Sequence, residues 1–196
     1  MKLGSIATIR SGLVLSRKQS REPSPYRYRL LNLRSINPEG YIDIEQSDFF
    51  NAKETLPPEY LSQSGDVIIR LSAPYTAVLI DTATEGMVIS SNFLVIKADR
   101  NGLLPEYLYW LLNTSQLKHA MFESSSSNML GAVKSKFFSE LEIAPITIEN
   151  QQKIAAMNML AIKESRLLRE LEQTKKQLYD IAIYNMYNEK KRGTSI

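Results

Sequence analysis

A chain of 196 residues can bury a sizeable core, and 43% hydrophobic with 23% charged content is the balance of an ordinary folded protein rather than a disordered one. The absence of cysteine excludes disulfide stapling, thiolate zinc sites and a cysteine nucleophile together. Net charge is only +3 but unevenly placed: residues 1–38 hold eight basic groups against Glu22 alone, while residues 39–120 hold five against eleven acidic groups. Such a block suits a polyanionic partner, and from charge alone a plain solvated surface fits as well.

Taken in chain order, Met1 to Ile6 lacks a long apolar stretch after its basic residue, so no signal peptide is expected. Leu3 to Ile9 alternates loosely and opens a short helix or strand, ended by Arg10-Ser11-Gly12. The polar run Ser16 to Pro25 reads as a loop. Tyr26 to Leu31 alternates with the period of a strand, and Asn37-Pro38-Glu39-Gly40 is a turn leading to a second strand at Tyr41 to Ile44. After Ser64-Gly65-Asp66, the apolar run Val67-Ile68-Ile69 reads as a buried strand, with further strands at Ala77 to Asp81 and Met87 to Ile96. Val88 to Ile96 is the most apolar window, yet Ser90, Ser91 and Asn92 interrupt it, and it is too short to cross a bilayer. No membrane segment is expected, and the expected location is the cytoplasm.

The period changes at Pro105 to His119, an amphipathic helix with Trp110 expected in the core. A flexible serine-rich loop, Ser124 to Asn128, leads to Gly131. Lys134 to Leu141 then suits a short helix, and Glu142 to Ile146 an edge strand. From Asn150 to Asn188 there is neither proline nor glycine. Ile154, Met157, Leu160, Ala161, Leu167, Leu168, Leu171, Leu178 and Ile181 recur at three-and-four spacing. A helix of that length spans about 58 Å at about 1.5 Å per residue. It is too long to bury its whole stripe on one compact domain, so a short or imperfect coiled coil, interrupted at Glu164, Thr174 and Lys175, is the expectation. A terminal helix folded back over its own domain is the alternative. The reading is a mixed α/β (α+β) domain at 1–148, followed by a long C-terminal α-helix at 149–196.

Catalytic chemistry is sparse. His119 is the single histidine and sits on the polar end of a predicted helix, where it builds no serine triad. With one histidine and no cysteine, a metal would need carboxylates. Asp43 and Glu45 share a predicted strand face that Asp48 does not, which suits an exposed acidic edge better than a metal site. All eight glycines are isolated, so no phosphate cradle is present. Leu56-Pro57-Pro58-Glu59-Tyr60 lacks the amide that an amino-methyltransferase motif needs, and reads as a turn. No metal and no cofactor is expected on this chain, and no catalytic residue is assigned.

Residues suited to nucleic acid lie in the loops. Arginine pairs with guanine edges, and Lys, Ser and Thr reach phosphates. The candidates are Arg17, Lys18 and Arg21 in the first loop, Arg70, Ser72, Tyr75 and Thr76 after the buried strand, and Lys134 and Lys136 after the serine-rich loop. Each alone also fits ordinary solvated surface.

In order, these pieces resemble the specificity subunit of type I restriction–modification systems. Leu3-Gly4-Ser5-Ile6-Ala7 through Gly12 is similar to the family's opening segment. Asn32-Leu33 through Gly40-Tyr41-Ile42 is similar to its strand-turn-strand, and Gly65-Asp66-Val67-Ile68-Ile69 to its glycine-aspartate-aliphatic box. Ser90 to Ile96 followed by Tyr107-Leu108-Tyr109-Trp110-Leu111 resembles the strand and helix that come next. The most specific match is Leu141-Glu142-Ile143-Ala144-Pro145-Ile146 with Gln151-Gln152-Lys153-Ile154, which resembles the start of the family's long helix. Departures are Ile146 in place of a second proline, Asn150 between the glutamate and the glutamine, and Arg70 alone where the family is arginine-rich.

The resemblance implies a DNA-methylase-specificity-like target-recognition domain that binds double-stranded DNA and is not itself an enzyme. It implies a half-subunit that pairs through its helix, as a homodimer or with another half, to read a split site. It further implies docking of a modification methyltransferase subunit, which brings S-adenosylmethionine, and of a restriction subunit, which uses ATP and Mg²⁺. The recognition part of a methyltransferase or nuclease with its own site, and an assembly adaptor without DNA binding, are the other readings.

Overall fold

The computed structural model describes residues 1–99, 101–126, 131–144 and 146–193. A 3-10 turn at Leu3–Ser5 leads into β1 (Ala7–Ser11), the short helix α1 (Leu15–Lys18) and β2 (Arg27–Leu31). A second 3-10 turn, Ile44–Gln46, precedes β3 (Asp48–Asn51), and a third, Pro58–Tyr60, precedes β4 (Val67–Arg70). Then follow β5 (Ala77–Leu79), β6 (Val88–Ile89), β7 (Phe93–Ala98) and the helices α2 (Pro105–Leu112), α3 (Ser115–Ser126), α4 (Ser135–Glu140) and α5 (Ile148–Gly193). The mixed α+β expectation holds.

The strands form two sheets. One is antiparallel with order β1-β7-β4-β5; the other has order β3-β2-β6, with β2 parallel to β6. One face of the first sheet sends Ile68, Val78, Phe93 and Val95 into a core shared with Leu31, Ile36, Met87 and Ile89. Helix α2 packs against β4, β5 and β7. Val67, Ile68 and Ile69 are therefore all buried, which is why that strand is continuously apolar rather than alternating. A second core, with Leu13, Phe50, Ala52, Leu56 and Val88, packs against Tyr28 and Leu30 of β2.

Several elements differ from expectation. β1 runs through Arg10 and Ser11, and the break falls at Gly12. There a Cβ would lie 2.1 Å from the Ser90 carbonyl oxygen, so only glycine lets the two backbones approach. Tyr41 to Ile44 contributes one bridge, Ile42 to Ile36, and the strand forms later at Asp48–Asn51. Asp43 instead accepts the Glu45 N–H at 3.1 Å and caps the 3-10 turn, and Asp48 pairs with Arg34 at 2.7 Å. Met87 to Ile96 divides into β6 and β7 at Ser90–Asn92.

The helix expected at Pro105 to His119 is two helices. Asn113 ends the first: its side chain accepts from the Ala77 N–H at 3.1 Å and donates to the Ala77 and Tyr109 carbonyls at 3.0 Å, tying the helix end to β5. Trp110 is only half-buried, and the core positions are Tyr107, Leu108, Tyr109 and Leu112. Ser124 to Ser126 are helical rather than loop, and the remainder of that predicted loop lies outside the described residues. Glu142 makes a single bridge to Lys2 in place of an edge strand, and Pro145 lies outside the described residues.

Two compact units divide the chain, Met1–Ala155 and Ala156–Ile196. The first turns of α5 thus belong to the lobe. Gln151 secures them, its side chain accepting from the Leu104 N–H at 2.9 Å and donating to the Gly102 and Ile146 carbonyls at 3.1 and 3.2 Å. Ala155 is buried with it. The described residues of the second unit are helix alone, and Met157, Leu160, Leu167, Leu168, Leu171, Leu178 and Ile181 on it are all exposed.

Candidate nucleic-acid interface

The end of β4 gathers residues far apart in sequence. Leu71 N–H donates to the Asn92 carbonyl at 3.1 Å, and Val133 N–H donates to the Leu71 carbonyl at 2.9 Å. These bonds bring Arg70 and Ser72, the turn Ser91–Asn92, and Lys134 to one end of the first sheet. Arg70 donates to Ser72 Oγ at 3.2 Å, which aims its head group, and partial burial lowers its pKa. Ser91, Asn92 and Lys134 are exposed. The turn of Ser91 and Asn92 went unassigned in the sequence because it lies inside an apolar window that reads as one strand.

Tyr75 and Thr76 do not join this surface. Tyr75 is 5% exposed, with φ of 53°, and its hydroxyl lies 2.6 Å from Ser125 Oγ. Thr76 is fully buried. Both support the loop from beneath, since the chain turns inward at Tyr75 to start β5. Lys136 is exposed on α4 and lies 3.6 Å from Glu140, so its charge is partly met already.

Arg17, Lys18 and Arg21 lie by the second sheet. Gln19 bridges Ala52, Ser20 N–H donates to the Asn51 carbonyl, and Lys53 N–H donates to the Lys18 carbonyl. The predicted loop is therefore fastened along the open edge of β3, with Arg17 and Lys18 in α1. Arg17 and Arg21 are exposed. Lys18 pairs with Glu54, whose hydrogen bond raises the lysine pKa and lowers that of the carboxylate. Of the three, Lys18 is the least available to a phosphate.

Sequence reasoning passed over the outer face of β2. Tyr28 and Leu30 point into the second core, so the alternation leaves Arg27 and Arg29 outward. Arg29 is opposite Phe49 in the β2–β3 register, and Phe49 is 52% exposed. The Arg27 guanidinium carbon sits 3.9 Å from the Phe49 ring centroid, and that of Arg29 sits 5.3 Å from it. The signal was present in Tyr26-Arg27-Tyr28-Arg29-Leu30, but only a strand with one buried face turns it into a basic surface.

Among the described residues, no group of three His, Asp or Glu side chains is placed to hold a metal ion. His119 is exposed, 3.3 Å from Glu123. Among the described residues no helix is long and apolar enough to cross a membrane.

On α5, Ile154 is half-buried within the lobe unit, while Met157, Leu160, Ala161, Leu167, Leu168, Leu171, Leu178 and Ile181 are exposed along the second unit. Leu160, Lys163, Glu164, Leu167, Leu168 and Leu171 line a shallow depression. Tyr179, Ile183, Tyr184, Met186 and Tyr187 are exposed as well, making the apolar surface wider at the far end than the expected seam.

No protein-family model matches the sequence, and no curated protein matches it significantly. Solved structures do. The HsdS subunit from Thermoanaerobacter tengcongensis superposes with a TM-score of 0.64 at 21% identity, over 91% of this chain and 46% of that one. A chain from a structure describing complex assembly and conformational transition of the type I R-M system gives 0.58 at 18% identity, over 92% of this chain and 42% of that one. The type I restriction-modification S subunit from M. genitalium gives 0.51 at 15% identity, over 93% and 42%. The chain spans less than half the length of each protein it matches. Its lobe and long helix together have the fold of type I restriction–modification specificity subunits.

Proposed function

We propose that this chain is a sequence-reading specificity unit of a type I restriction–modification system. The lobe reads one half of a bipartite site in double-stranded DNA, and α5 pairs with a second such unit that reads the other half. The observation that carries this reading is a structural match over 91% of the chain that takes in 46% of a specificity subunit. The tip at half-buried Arg70 and Ser72 and exposed Ser91, Asn92 and Lys134 faces base edges, and basic groups on the second sheet fix register on phosphates. The chain is not an enzyme in this scheme. A methyltransferase subunit brings S-adenosylmethionine, a restriction subunit uses ATP and Mg²⁺, and both act where this chain directs them, in the cytoplasm.

Selection from a randomised duplex pool tests the proposal. Two short half-sites at fixed spacing are expected, forming an interrupted palindrome if two copies of this chain pair. A pool that yields no enriched sequence while the protein remains folded would overturn the reading.

A further inference from the structure

Outside the loops, one exposed surface combines charge with a ring. Arg27 and Arg29 leave the same face of β2, and both guanidinium groups sit over Phe49 on β3. Among the described residues neither arginine meets a carboxylate, whereas Lys18 is neutralised by Glu54 and Arg34 by Asp48. Asp48, the nearest acid on β3, is further occupied by Asn32 at 2.7 Å. Arg29 is held in place by the Ile44 carbonyl at 3.2 Å and Ser47 Oγ at 3.0 Å. Among the described residues the Arg27 head group meets the Phe49 ring alone, so its donors stay open to solvent.

A guanidinium stacked on a ring keeps its plane and its donors in a fixed direction, so little rotamer freedom is lost when a planar anion arrives. Leaving two cations beside each other without a carboxylate costs the isolated lobe repulsion, and a polyanion relieves it. Position supports the same conclusion. The segment Gln19–Ser20, which carries Arg21 behind it, pairs with the opposite edge of β3 from β2. Arg21 and Arg27 therefore flank one strand.

We propose that Arg27 and Arg29, stacked on Phe49, form a phosphate clamp that seats the lobe on the backbone of duplex DNA, apart from the residues that read bases. This rests on the DNA-reading function proposed above. The clamp contributes affinity and register equally on every sequence, because phosphates are the same throughout the duplex.

The test uses the full chain and fluorescent duplexes, one carrying a selected site and one of scrambled sequence, titrated at several salt concentrations. For R27A/R29A the affinity should fall about tenfold or more on both duplexes, and the log–log salt slope should flatten by roughly 1.8, the counterions of two phosphates. F49A keeps both charges. It should weaken binding a few-fold while leaving the slope unchanged, a pattern that loss of folding does not give. Thermal unfolding should show both variants cooperatively folded, since all three side chains are exposed. If the wild type binds and R27A/R29A leaves affinity and slope unaltered, the clamp is wrong while DNA reading stands. Loss of binding to the selected duplex only would make these residues base readers and also overturn the clamp. If the wild type binds neither duplex, the function and the clamp fall together.

Discussion

Asp66 illustrates what one buried carboxylate does to this lobe. It is 1% exposed, accepts the Gln63 N–H at 3.1 Å and lies 3.5 Å from Arg10, which also donates to the Glu59 and Leu61 carbonyls. Burial raises the Asp66 pKa despite these partners, and burial lowers that of Arg10. An acid whose pKa is raised on folding holds its proton more tightly in the native state. Its favourable contribution is complete below the ordinary aspartate range, near pH ~4, and is lost as pH rises through the raised value. Unfolding midpoints should show wild type losing ground to Asp66→Asn from about pH 4 upward, then running parallel once the carboxyl is ionised. A gap that moved the other way over that range would contradict the assignment.

The recognition residues can be separated at the same scale. Arg17→Ala and Arg21→Ala should each weaken binding several-fold on any duplex, roughly one counterion each. Arg70→Ala should relax preference at one base position at a cost of about 1–3 kcal/mol, read by competition among single-base variants of the selected site. Residue types alone could nominate Arg70 and Ser72 but could not exclude Tyr75 and Thr76. Their burial depends on the chain reversal between β4 and β5, closed by the Tyr75 N–H to the Ser72 carbonyl at 3.0 Å and the Arg70 N–H to the Thr76 carbonyl at 3.1 Å.

At the scale of elements, Gln151 joins three segments. Removing its amide leaves the Leu104 N–H and the Gly102 and Ile146 carbonyls short of partners in a half-buried setting. Gln151→Ala should therefore cost about 1–3 kcal/mol in denaturant unfolding, and Gln151→Glu should cost no less, since it sets a carboxylate against two carbonyl oxygens. Periodicity made β2, β4 and α5 legible, because each carries an unbroken pattern; burial follows it in β2 and β4, while the stripe of α5 stays exposed. It failed for β3, whose Asp48-Phe49-Phe50-Asn51 has one aromatic on each face and so does not alternate in polarity. It also joined α2 to α3, because the stop is made by a tertiary contact of Asn113 with β5 and not by a breaker residue.

For the whole molecule, the issue is the stripe on α5. Leu160 and Leu171 are 67% and 50% exposed, so replacing them costs the isolated chain little. In a paired helix each would be buried twice over by symmetry. Leu160→Glu with Leu171→Glu should raise the dissociation constant for self-association by about 100-fold or more in sedimentation, with the lobe's melting temperature unchanged. Wild type that stays monomeric at tens of micromolar would remove homodimer pairing from the scheme. The order of lobe and helix was visible in the sequence, while α5 runs on to Gly193, past the expected Asn188. Which loops share a surface was not, because Leu71, Asn92 and Val133 meet only through sheet geometry.

Met1 and Leu3 close the lobe against a segment far along the chain. The Met1 ammonium donates to the Ile143 carbonyl at 2.9 Å, Ile143 N–H donates to the Met1 carbonyl, and Leu3 N–H donates to the Leu141 carbonyl. Met1 and Ile143 lie 142 positions apart, so this seam is a closure of high sequence separation. A lobe that opens there bares two backbone edges at once, the kind of surface that pairs with another chain.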